Sequence, residues 1–89
     1  MTHTENVIRI PDRTAYTRRI QRFLLEIAEA EDYLPRLVID GVYGLETEEA
    51  VSLFQRKNRL PENGIVDSRT YRALYLAYRE GQIKNGRSE

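Results

Sequence analysis

Eighty-nine residues are enough for one small domain and not for two. Fourteen acidic and fourteen basic residues cancel, which removes the electrostatic footprint expected of a nucleic-acid binder. The absence of cysteine excludes a disulfide framework and a thiolate zinc site, and no apolar run approaches the length of a membrane span or a signal-peptide core.

Residues 1–11 are polar apart from Val7 to Ile10 and read as an extended or flexible segment closed by Pro11. Asp12 is the expected N-cap of the first helix, with Thr14 competing for the role. Tyr16, Ile20, Phe23, Leu24 and Ile27 then recur at helical spacing and make one apolar stripe, ending near Ala30. Leu34 precedes a proline and is driven toward extended backbone. Leu37 to Ile39 are expected against the core. A second helix is predicted from Leu45 to Asn58, with Ala50, Val51 and Phe54 inward. A third runs from Ser68 to Glu80, with Ala73, Leu74 and Ala77 inward. Residues 81–89 hold two glycines and no periodicity, so a frayed, flexible tail is expected there. The fold class is all-α, with one three-helix domain over residues 12–80.

The stretch "DGVYGLETEEAVSLFQ" and the later "NGIVDSRTYRALYLAY" align without a gap at an offset of 23 residues. Asp40-Gly41 lies over Asn63-Gly64, Val42 over Ile65, Thr47 over Thr70, Ala50 over Ala73 and Val51 over Leu74. Asp-Gly and Asn-Gly are tight-turn dipeptides, because the short side chain bonds the local backbone and glycine accepts positive φ. Val42 and Ile65 are expected to point inward as apolar plugs. Gly44 and Asp67 stand at N-cap positions, and Thr47 and Thr70 sit where a hydroxyl could reach back to the cap. Each copy therefore reads as turn, plug, cap and helix.

Two such copies behind one leading helix resemble the peptidoglycan-binding domain of bacterial cell-wall hydrolases. The residues that carry the resemblance are Ile20-Gln21, Asp40 through Gln55, Leu60-Pro61, Asn63-Gly64, Asp67, Thr70 and Tyr71. Arg59 departs from the pattern, which has glycine there, and the connection from Glu31 to Ile39 is longer than usual. The resemblance implies a compact, orthogonal three-helix bundle that binds peptidoglycan non-covalently, without a cofactor. It also implies a monomeric domain that anchors an associated domain, as in a multidomain hydrolase, to the bacterial wall or in the extracellular space. No signal peptide is read in this chain. The alternative is a protein-interaction or inhibitory domain, like the propeptide-like domain of matrix metalloproteinases on the same scaffold.

No catalytic or metal-binding set is expected. His3 is the sole histidine and lies in the N-terminal segment, away from credible partners. Glu46, Glu48 and Glu49 complement the dipole at a helix start. Paired carboxylates would need a sugar cleft that so small a bundle has little room for. Arg13, Arg18, Arg19 and Arg22 read as a solvated face, and the connection between helices two and three is too long for a helix-turn-helix. Tyr71, Tyr75 and Tyr78 recur beside the apolar stripe of the third helix. They either cover the edge of the core or stack on sugar rings. Tyr43, whose repeat partner is Val66, is expected to be mostly buried. The candidate ligand-binding residues are Asp40, Tyr43, Tyr71 and Tyr75.

Overall fold

The apolar stripes of the second and third predicted helices have one surface on which to bury together, the Ile20 to Ile27 stripe of the first. The computed structural model describes residues 4–84, with side chains over 13–82, and shows that arrangement. Three helices follow in order: α1 (Thr4–Ala30), α2 (Leu45–Lys57) and α3 (Ser68–Lys84), with no strand among the described residues. Ile20, Leu24, Ala50, Val51, Phe54 and Leu74 have no exposed surface. Burial of each larger aliphatic or aromatic side chain contributes about 1.5–3 kcal/mol. That outweighs the exposed Arg56–Glu62 ion pair at 2.7 Å, since such surface pairs contribute about 0–1 kcal/mol. Ala73 and Ala77 pack on the edge of this core and are partly exposed.

α1 packs more extensively on α3 than on α2. Phe23 is the hub of the α1–α3 contact, with the rings of Tyr78, Tyr71 and Tyr75 at 4.9, 5.7 and 6.2 Å from its own. The long connection between α1 and α2 is pinned by its apolar residues. Leu34 and Leu37 are buried, Tyr33 packs on the core, and Lys57 lies over the Tyr33 ring at 5.2 Å. Ile39 is partly buried, whereas Val38 faces solvent, so the expectation that residues 37–39 all press on the core holds for Leu37 and Ile39 only.

Two helix ends differ from the sequence reading. α1 starts at Thr4, so residues 4–11 are helical rather than extended, and Asp12 and Thr14 lie inside the helix instead of capping it. Pro11 lacks an N–H and removes one helical hydrogen bond, which interrupts the ladder at a single point while helix continues on both sides. α3 runs four residues past Glu80, to Lys84. Its extension is tied to α1 by Gln82, whose Nε2 donates to Glu26 Oε1 at 3.3 Å. Residues 1–3 and 85–89, including His3 and the rest of the expected tail, lie outside the described residues.

Three residues adopt the left-handed region: Gly41 (φ 79°), Gly64 (φ 74°) and Arg59 (φ 61°). The glycines occupy the two tight turns, as the dipeptides predict. Arg59 follows the end of α2. Its N–H donates to the Arg56 carbonyl at 3.2 Å, and Leu60 N–H donates to the Gln55 carbonyl at 2.8 Å. This is a Schellman closure, in which glycine is the favoured residue at the left-handed position. An L-residue there carries a cost of about 1–2 kcal/mol that glycine escapes. Arg59→Gly is therefore expected to raise the urea midpoint. Gly64→Ala is expected to lower it by more than Gly41→Ala does. An added Cβ at Gly64 would stand 2.6 Å from Glu48 Cγ and 3.3 Å from the Glu48 carbonyl, whereas at Gly41 the three nearest atoms all belong to the side chains of Thr14 and Arg18. An unchanged midpoint for Gly64→Ala would contradict the turn geometry.

Candidate functional site

The two turns are each held by one buried glutamine. Gln21 reaches from α1 to the first turn. Its Oε1 accepts from the backbone N–H groups of Asp40 (3.1 Å) and Gly41 (2.9 Å). Its Nε2 donates to Asp40 Oδ1, the Val42 carbonyl and Thr47 Oγ1, each at 3.0 Å. Gln55 repeats the pattern from α2 to the second turn. Its Oε1 accepts from Asn63 N–H (3.0 Å) and Gly64 N–H (2.9 Å). Its Nε2 donates to Asn63 Oδ1 (3.1 Å), the Ile65 carbonyl (2.9 Å) and Thr70 Oγ1 (3.1 Å). Both side chains are 1% exposed, and no buried side-chain polar atom among the described residues lacks a partner. An amide has two N–H donors, so each Nε2 shares them among three acceptors.

This geometry overturns the inward plug. Val42 N–H donates to Asp40 Oδ1 and Ile65 N–H to Asn63 Oδ1, each at 2.9 Å, while both carbonyls accept from a glutamine. With both backbone groups turned toward the clamp, the side chain points away from it. Val42 is 62% and Ile65 63% exposed. The next residue in each copy turns the other way. Val66 packs on the core, and Tyr43 crosses to the second turn, where its O–H donates to the Gly64 carbonyl at 2.6 Å. Tyr43 is nonetheless 40% exposed, more than the expected burial. Its burial, with Glu48 and Tyr16 nearby, pushes the phenol up to about 12.

The cap positions are as predicted, with one refinement. Gly44 is the extended N-cap of α2 and contributes only its carbonyl, which accepts from Glu48 N–H at 2.9 Å. Asp67 caps α3 through its side chain, accepting from Thr70 N–H at 2.9 Å. The threonines mainly serve the glutamines. Thr47 has no side chain to reach at Gly44 and turns to Gln21 and the Val42 carbonyl, whereas Thr70 also bonds the Asp67 carboxylate.

Around this frame Asp40 falls on one face, Tyr71 and Tyr75 fall on another, and Tyr43 bridges the two turns. Asp40 lines a groove of about 300 Å³ beside the first turn, together with Leu37, Val38, Val42, Leu45 and Glu46. Tyr71 and Tyr75 lie on the α1–α3 face with Tyr16, whose ring is 5.7 Å from that of Tyr71. Arg19 Nη1 donates to the Tyr71 hydroxyl at 3.5 Å. Tyr16 and Tyr75 are each about two fifths exposed on this face. A second cleft, of about 150 Å³, lies at the C-terminal ends of α1 and α3 and holds none of the four. No group of three or more His, Cys, Asp or Glu side chains among the described residues is placed to hold a metal ion.

Residues 17–74 match the sequence profile of the peptidoglycan binding domain. The chain belongs to that family. No characterised relative and no solved structure matches it. In this peptidoglycan-binding domain the matched span runs from Thr17 to Leu74 and includes both glutamines and both turns. The match implies peptidoglycan as the partner and association with the cell wall. No helix among the described residues is long and apolar enough to cross a membrane.

Two predictions test the clamps. Gln55→Leu leaves the N–H groups of Asn63 and Gly64 without their acceptor, at a cost of about 1–3 kcal/mol for each buried group. The expected outcome is a loss of at least about 2 kcal/mol in urea unfolding, with the m-value retained. The other concerns acid. Hydrogen bonds from Val42 N–H and Gln21 hold the Asp40 carboxyl below the ordinary aspartate range, and those from Thr70 do the same for Asp67. A carboxyl depressed on folding contributes stability that is present above its unfolded value near 4 and lost as pH falls through the folded value. The Val42 amide resonance should therefore titrate with a midpoint below 4, and Asp40→Asn should abolish that titration. The Ile65 amide should show no such step, since Asn63 does not ionise.

Proposed function

We propose that the domain binds bacterial peptidoglycan non-covalently as a monomer and holds an associated domain at the wall. Its sugar contacts are made on the tyrosine face of α1 and α3. One observation supports that placement: Tyr16 and Tyr75 keep about two fifths of their surface open beside Tyr71, and the rings of Tyr71 and Tyr75 rest against Phe23. A ring packed on one side and open on the other is a rigid, amphipathic platform for a pyranose, at little cost in side-chain entropy. Arg19, fixed at the Tyr71 hydroxyl, adds hydrogen-bond donors at the edge of that platform. Tyr43 fixes the first turn to the second, and Asp40 stands at the groove beside the first turn.

The role is binding without chemistry. The purified domain is expected to leave wall suspensions turbid and to release neither reducing sugars nor free amines.

Sedimentation with protein-free bacterial walls tests the proposal. The wild-type domain should be retained, and Tyr75→Ala should weaken retention by about 1 kcal/mol or more, as loss of an interface anchor commonly does. Tyr78 is less exposed and its ring lies closer to that of Phe23, so Tyr78→Ala should cost thermal stability first. Should Tyr75→Ala bind walls as wild type does yet melt many degrees lower, the tyrosine face is packing alone. Capture of a partner protein with no retention on walls would favour the protein-interaction alternative.

A further inference from the structure

The clamp is duplicated, but the surface around it is not. At the second turn the counterparts of Asp40, Leu45 and Glu46 are Asn63, Ser68 and Arg69. Asn63 makes the same bonds as Asp40: it accepts from the second N–H onward and from the glutamine Nε2. The turn therefore forms with either an Asp or an Asn. Nor does the start of a helix need Leu45, which is 70% exposed, when Ser68 serves in its place. Val38, 71% exposed, belongs to the long connection, whose hold on the core comes from Leu34 and Leu37. With Val42 these residues give the first groove an apolar rim and two carboxylates, Asp40 and Glu46, neither in an ion pair among the described residues. The turn uses one oxygen of Asp40, and the second copy starts its helix without an apolar residue or an acid at the positions of Leu45 and Glu46.

We propose that this groove takes the stem peptide of peptidoglycan: a short chain of small, alanine-type residues with one diamino acid, whose side-chain ammonium lies between Asp40 and Glu46. The methyl groups of the small residues rest on Val38, Val42 and Leu45. The inference rests on the wall-binding reading above and assigns the peptide to one face and the sugars to the other. The side-chain ammonium is what fits this occupant to the two carboxylates. An N-acetylated glycan strand is neutral and gains nothing from two carboxylates, and a polyanion such as a nucleic acid or teichoic acid is repelled by them. A stem peptide is zwitterionic: its ammonium is attracted by the two carboxylates, while its own carboxylates need a cation beside them. Arg18 lies over Gly41, on the turn that carries Asp40, and offers a cation to the carboxylates of the same peptide.

Calorimetric titration of the folded domain with the tetrapeptide L-Ala-γ-D-Glu-L-Lys-D-Ala, and with the same peptide acetylated at the lysine ε-amine, tests this. Wild type should bind the free amine at least tenfold more tightly than the acetylated form. The double variant Asp40→Asn, Glu46→Gln should lose at least tenfold for the free amine while still unfolding cooperatively, at a slightly lower urea midpoint, because asparagine forms the same turn at Asn63 without the charge. Leu45→Ser should weaken both peptides several-fold. Equal affinity for the two peptides, undiminished binding by the neutral variant, or no binding of the tetrapeptide by wild type would each overturn the proposal. If the double variant fails to fold, Glu46→Gln alone and the comparison of the two peptides on wild type decide. Wild type retained on walls but blind to the tetrapeptide removes this inference and leaves wall binding standing. Tetrapeptide binding without retention on walls does the reverse.

Discussion

A buried carboxamide sets the terms of this fold. An amide taken out of water must find partners for two N–H donors and a carbonyl oxygen, or cost several kcal/mol. Gln21 and Gln55 have two of the lowest exposures in the chain and carry polar atoms amid Ile20, Leu24, Phe54 and Leu74. Each amide is satisfied by a turn that presents two adjacent N–H groups, one carbonyl and an Asx oxygen, together with a threonine hydroxyl. That requirement brings together the Asx residue, the glycine, the outward Val42 or Ile65 and the inward hydroxyl of Thr47 or Thr70. The glycine follows because two successive N–H groups converge on one oxygen with the second residue at positive φ. Each helix start is then placed by a side chain of the helix before it, so α1 positions α2 and α2 positions α3.

The same constraint divides structure from surface. Since the clamp uses backbone groups and one short side chain, the residues just after it are exposed whatever their chemistry. An apolar residue at position 42 or 65 is not recovered by the core, and its exposure is open to use by a ligand. The tyrosine face arises differently. α3 rests on α1 through aromatic rings around Phe23, and rings too large to be fully covered leave their outer faces in water. Two unlike surfaces, one aromatic and one apolar with carboxylates, thus border one rigid frame. Tyr43 spans the frame between the two turns, so its hydroxyl serves the positions of both.

Much of this was legible in the residues. The 3.6-residue period of Ile20, Phe23, Leu24 and Ile27 gave the later part and the end of α1 but not its start at Thr4, and Ala50, Val51 and Phe54 gave α2 to within one residue. The Asp-Gly and Asn-Gly dipeptides marked the positive φ values. The direction of Val42 and Ile65 was not legible, because hydropathy says inward and only the hydrogen bonds of their own backbone say otherwise. Nor was the role of the glutamines. Gln21 precedes its turn by 19 residues and Gln55 by 8, so they are related by an offset of 34 rather than 23. An alignment of the turns cannot pair them across connections of different length. The available signal was a glutamine directly behind a core residue, Ile20-Gln21 and Phe54-Gln55, before each turn. The groove was still harder to foresee, since it depends on how the long connection lays Val38 beside Leu45.

The claim that glutamine amides hold both turns is tested most directly by native-state hydrogen exchange at Asp40, Gly41, Asn63 and Gly64. These amides lie outside any helix, and loop amides that face water exchange with opening energies near zero. If each is bonded to a buried Oε1, all four should exchange hundreds of times more slowly than unstructured peptide. Gly41 and Gly64 should approach the protection of Phe54 in the centre of α2. Exchange of the Gly41 and Gly64 amides at unprotected loop rates, with Phe54 still protected, would contradict the account.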